Sequence, residues 1–143
     1  MWSETKEGWD YWNHINNKWG DYQLENGIVV DLYSSTKTVS GASVGTDTLV
    51  GIENIIGSDF NDTFKGDLNV ANRFKGGSGV DTVDYSSQTT DKIVANLTDG
   101  LIELYVSSDK KASDTVENIE NVTGTAGNDT FIGDTQANSC DVS

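Results

Sequence analysis

The chain of 143 residues contains no proline, one cysteine (Cys140), one histidine (His14) and nine basic side chains against twenty-three acidic ones. Each scarcity excludes something. A lone cysteine cannot form an intramolecular disulfide, and one cysteine with one histidine cannot build a zinc cluster of Cys and His. With His14 as the only imidazole, a Ser or Cys hydrolase triad has no second candidate for its base. The Ser78 string reads GGSGV rather than G-x-S-x-G, and no phosphate-binding or dinucleotide-binding glycine loop is present. No run of about 18 apolar residues could cross a membrane as a helix, and Met1 to Glu7 lack a signal-peptide pattern. The shortage of basic residues leaves a formal charge of −14 and a pI near 4.1. A chain so negative repels nucleic acid and anionic membrane surfaces and attracts cations. Hydrophobic residues make up 35%, which predicts a thin core, while 15 glycines without proline do not match proline-rich disorder. The length suits one domain.

What the chain does contain is a long internal repeat. Asp47 to Asp67, DTLVGIENIIGSDFNDTFKGD, aligns without gaps on Asp114 to Asp134, DTVENIENVTGTAGNDTFIGD, with twelve of twenty-one positions identical at an offset of 67. Upstream, IVVDL at Ile28 to Leu32 pairs with IVANL at Ile93 to Leu97, and Asp21 and Tyr22 match Asp84 and Tyr85. Downstream, the Ala71 to Gly77 segment is echoed by Ala137, Asn138 and Cys140, so the second copy stops mid-turn.

Inside each copy the pieces are short: VVDL, IENIIG, NDTFKG, NRFKG, DTVDYS, IVANL and IELYV, separated by turn residues. These are strand lengths. Ile52, Ile55 and Phe64, with their copies Ile119, Val122 and Phe131, predict apolar positions stacked on similar neighbours. The expected fold is all-β, a right-handed parallel β-solenoid of β-roll or β-helix type over residues 23 to 143. Roughly six turns of about twenty residues would give a rod near 30 Å long. Residues 1 to 22 form a Trp-rich N-terminal cap holding Trp2, Trp9, Trp12 and Trp19. Trp9, Trp12, Asn16 and Trp19 share a helical spacing, which predicts a capping helix or irregular cap. An aromatic platform for sugars is the competing use of the same residues.

Gly76 to Asp84, GGSGVDTVD, fits the nine-residue pattern G-G-x-G-x-D-x-U-x at every position, U being a large apolar residue. Gly124 to Ile132, GTAGNDTFI, misses only the second glycine, and Gly57 to Lys65, GSDFNDTFK, keeps the first glycine, the aspartate and the apolar residue. On these motifs the segment from Asp21 to about Asn138 resembles the hemolysin-type calcium-binding repeats of the RTX proteins. Glycines admit the positive φ of a tight loop and present carbonyls, and aspartate supplies a hard anionic oxygen; calcium takes six to eight such oxygens.

The resemblance implies one calcium site between stacked loops, with carboxylates from Asp62 and Asp81 and carbonyls from Gly57 to Asn61 and from Gly76 to Val80. The expected metal-binding residues are Gly57, Asp59, Asn61, Asp62, Gly76, Gly77, Gly79, Asp81 and Asp129. Phe60 stands where the pattern expects a glycine, and Asn72 stands where the opposite edge would need an aspartate. The competing role for Asp62, Asp81 and Asp129 is an Asx-type turn closed by the side chain itself; for Asp47 and Asp114 the structural role is favoured. Asn54 and Asn121 are expected to stack as an asparagine ladder. Glu53 and Glu120 are expected on solvated faces.

The reading is a non-catalytic calcium-binding structural module that folds on binding the ion. The resemblance further implies a secreted bacterial protein, located extracellularly or at the cell surface and exported in one step from a Gram-negative cell. Calcium ions are the expected partner. Extracellular polysaccharide is the partner of the alternative reading, an accessory module of a polysaccharide-active enzyme or adhesin; an ice-binding solenoid is another, although the threonine ranks recur only twice. Uncovered solenoid ends offer a route to self-association.

Overall fold

The computed structural model describes residues 2–5, 8–13, 18–20, 26–42, 44–88 and 92–142, the first three stretches through their backbone alone. Every regular element among them is a strand. Trp2–Thr5 (β1), Gly8–Asn13 (β2) and Lys18–Gly20 (β3) form an antiparallel sheet in which Trp2 is opposite Tyr11 and Trp12 opposite Trp19. The expected helical face is thereby corrected: Trp and Tyr favour extended backbone, and pairing overrides a helical spacing of only four positions. His14, Asn16, Asp21 and Tyr22 lie outside the described residues.

The remaining strands make two mixed sheets. The first has seven strands: Gly45–Leu49 (β6), Lys37–Gly41 (β5), Val29–Asp31 (β4), Thr63–Lys65 (β8), Thr82–Asp84 (β10), Asn121–Thr123 (β14) and Ser139–Asp141 (β16), in that spatial order. The second has six: Asn54–Ile56 (β7), Arg73–Lys75 (β9), Asp109–Glu117 (β13), Leu101–Val106 (β12), Lys92–Asn96 (β11) and Thr130–Ile132 (β15). From β7 to β10, and again from β13 to β16, the chain alternates between the two sheets at each step.

Parallel pairing holds the short strands in register. Val30, Phe64, Val83, Val122 and Cys140 are successive partners in one sheet, and Ile55, Phe74 and Val116 in the other. In β8, β10 and β14 the central residue is buried between two half-buried neighbours, as the two-residue period of a strand requires. Phe64 and Phe74 meet across the sheets with ring centroids 5.3 Å apart. Strands of three residues gain little alone, so these ladders carry the fold.

Antiparallel ribbons break the regular stack. β4, β5 and β6 form one meander and β11, β12 and β13 another. The parallel run in the seven-strand sheet is therefore five strands deep, spanning about 19 Å rather than the expected six-turn rod. The repeat copies also part company: β7 and β14 share a sequence yet lie in opposite sheets, as do β8 with β15 and β4 with β11. The cause is β10, an extra step between the copies that reverses which sheet each following strand enters. Asn54 consequently aligns with Arg73, whereas Asn121 aligns with Thr82 and Ser139, so the expected asparagine ladder does not form.

Candidate metal centre

The residue before a parallel-paired segment carries a recurrent device. Its aspartate accepts the backbone N–H of the corresponding position one layer away: Asp62 from Ile28 (2.7 Å), Asp81 from Asp62 (2.8 Å), Asp114 from Asn72 (2.7 Å) and Asp129 from Ile93 (2.8 Å). These bonds bind layer to layer at both margins.

At the margin where the chain passes from the six-strand to the seven-strand sheet, Gly57 to Asp62 lies beside Gly76 to Asp81, as the repeat spacing predicts. Gly77 and Gly79 have φ of 113° and 118°. Gly77 lies so close to the layer below that an added Cβ would sit 2.3 Å from the Ser58 carbonyl oxygen. Asn61 accepts the Val80 N–H through Oδ1 at 2.8 Å and so braces the second loop on the first. Asp59 is exposed in its bend. Asp129 lies at the other margin, in the connection from β14 to β15, so Asp62 and Asp81 come together and Asp129 does not join them.

The three aspartates differ in how they are satisfied. Asp62 is closed by its own loop: Oδ1 accepts the Ser58 hydroxyl (2.8 Å) besides Ile28, and Oδ2 accepts the Ser58 N–H (2.6 Å). Asp81 is completely buried, and its Oδ2 has no hydrogen-bond partner. Asp129 accepts Ile93 and the Thr125 hydroxyl (3.0 Å) at Oδ1, while its buried Oδ2 also lacks a hydrogen-bond partner.

Two residues not expected at the site complete the surroundings of Asp81, and the solvated face expected for Glu120 is corrected, because the structure half-buries it. Glu120 accepts the Asp81 N–H through Oε2 at 2.8 Å. Asn118, in the left-handed region at φ 52°, turns the chain over Gly76. A Cβ on Gly76 would lie 2.1 Å from the Asn118 carbonyl oxygen and 2.2 Å from Asp81 Oδ2, so both oxygens border the space that this glycine leaves free. Burial pushes the Asp81 carboxyl up to about 6 despite the Asp62 N–H bond, and the charges of Asp62 and Glu120 push in the same direction. Ion pairs at 4 Å or less among the described residues engage Asp67, Glu103, Asp109 and Glu117, and none engages Asp62, Asp81 or Glu120.

The donor set fits a hard cation: a buried carboxylate oxygen lacking a donor, a neighbouring carbonyl and a second carboxylate, all oxygen. Among the described residues no three acidic, His or Cys side chains converge in metal-ligating geometry, so a site here must draw on backbone carbonyls. Glu120 and its copy Glu53 share the same I-E-N triplet, and the layer each enters decides their roles. No family model matches the chain, and no curated protein matches it.

Proposed function

We propose that the chain is a non-catalytic calcium-binding module of a secreted bacterial protein, a parallel β-solenoid of RTX-like repeats interrupted by two meanders, whose closure depends on the ion. The carrying observation is Asp81: fully buried, with one carboxylate oxygen lacking any hydrogen bond, inside the one complete nonapeptide. An uncompensated buried carboxylate is costly, and native proteins rarely retain one without use. Bound calcium would supply the missing positive charge for that oxygen, and the −14 balance of the chain favours its capture. Ion binding and folding are then linked, because the layers that form the site are separate in the unfolded chain. Millimolar extracellular calcium would close the module only after export.

Isothermal titration calorimetry with calcium chloride, and separately with magnesium chloride, tests this reading. The expected result is saturable calcium binding that exceeds magnesium binding and weakens by about a hundredfold or more in Asp81→Asn, which keeps the shape and removes the charge. Equal affinity in the wild type and Asp81→Asn would contradict the reading.

A further inference from the structure

We propose that the cation at Asp81 is held between the Gly76 to Asp81 loop and the Asn118 to Glu120 segment, with Glu120 as the second carboxylate, rather than between the two glycine loops. This deepens the calcium-binding reading and rests on it. The two interlayer spaces on this margin are built alike. A Cβ on Gly57 would meet Asp62 Oδ2 at 2.2 Å and the Gly76 carbonyl oxygen at 2.4 Å; one on Gly76 would meet Asp81 Oδ2 at 2.2 Å and the Asn118 carbonyl oxygen at 2.1 Å. Their occupancy by protons separates them. Both oxygens of Asp62 already accept hydrogen bonds, from three N–H and O–H donors in all. Asp81 Oδ2 receives none and is fully buried.

Glu120 is placed to finish the second space. Its Oε2 accepts the Asp81 N–H, which fixes the carboxylate against the loop, while Oε1 makes no hydrogen bond among the described residues. The Gly76 N–H goes to the Glu117 carbonyl (2.9 Å), and the Glu120 and Asn121 N–H groups both go to the Asp81 carbonyl (3.2 and 2.9 Å). These bonds set the register of the third layer on the second and so position the oxygens that the ion would join. Two carboxylates, a backbone carbonyl and the loop oxygens form the all-oxygen environment that calcium takes.

The test compares Glu120→Gln, Glu53→Gln, Asp62→Asn and Asp81→Asn by calorimetric titration with calcium chloride, with far-ultraviolet circular dichroism at saturating calcium as the check of folding. Glutamine retains an oxygen acceptor for the Asp81 N–H. Glu120→Gln is expected to weaken calcium binding by about tenfold or more. Glu53→Gln, the same change in the other repeat copy, should leave affinity within about twofold. Should Glu120→Gln not fold, the aspartates decide: Asp62→Asn is expected to cost about tenfold less affinity than Asp81→Asn. Equal losses from Glu53→Gln and Glu120→Gln, or from Asp62→Asn and Asp81→Asn, would overturn the location while leaving calcium binding intact. A wild type that binds no calcium would overturn both readings.

Discussion

Gly76→Ala is expected to destabilise the protein by about 3 kcal/mol and to abolish its response to calcium. The position tolerates no methyl group: an added Cβ would stand 2.1 Å from one oxygen, 2.2 Å from another and 2.7 Å from the Asp81 carboxyl carbon. Two of those atoms belong to a buried carboxylate and the third to backbone that the Gly76 N–H bond to Glu117 holds in place, so none is the free end of a flexible side chain. Relief requires the Asn118 segment to lift away, which separates the second and third layers. Gly45→Ala is the informative comparison, because Gly45 has φ of 77° but nothing within 4 Å of its added Cβ. That change carries backbone strain alone, about 1 kcal/mol. Urea unfolding of both variants measures the difference, and a Gly76→Ala loss no larger than that of Gly45→Ala would show that the layers are not packed this closely.

At saturating calcium, the share of stability due to Asp114 is expected to fall by about 2 kcal/mol as the pH rises from about 4.5 to about 7. Asp114 is fully buried in the core beside Tyr85. Its Oδ1 accepts the Asn72 N–H and, more weakly at 3.4 Å, the Asn72 amide, and its Oδ2 accepts the Tyr85 hydroxyl. Burial pushes its carboxyl up to about 6, the hydrogen bonds from Tyr85 and Asn72 oppose that shift, and the negative charge of Asp67 adds to it. Burial and the Asp114 charge likewise push the Tyr85 hydroxyl upward, so it stays neutral throughout. Between the ordinary aspartate range and pH 6 the folded chain holds a proton that the unfolded chain has released. The Asp114 share of stability must therefore decline as pH rises across that window and level off above it. Asp114→Asn, a neutral stand-in for the protonated acid, should flatten this component. Urea midpoints of the two proteins across the window provide the check, and parallel pH profiles would refute the assignment.

Much of the architecture is readable from the chain. NDTFKG, NRFKG and DTVDYS are strands with Phe64, Phe74 and Val83 fully buried, where a two-residue period places them. The nonapeptide glycines Gly77 and Gly79 take the positive φ that their pattern implies. Lys37–Gly41 and Gly45–Leu49 escape such a reading because they lack apolar alternation; no residue of either is fully buried, and antiparallel pairing alone defines them. The two meanders hide the vertical neighbours of the site. Asp81 aligns with the Glu120 layer across thirty-nine residues, far from the repeat spacing, because β11, β12 and β13 intervene. The exchange of sheets between repeat copies is equally hidden from alignment, since it depends on whether the number of steps between copies is odd or even. Asp62 shows the remaining limit: its motif is that of a ligand, yet Ser58, present where the pattern prefers glycine, supplies donors that satisfy it.

The proposed cation at Asp81 is expected to close the layered sheets. Far-ultraviolet circular dichroism, followed through a calcium chloride titration from excess chelator in the wild type and in Asp81→Asn, tests it most directly. A saturable gain of β signal is expected in the wild type and not in the variant at the same calcium concentrations. An identical β spectrum in chelator and in saturating calcium, for both proteins, would contradict it.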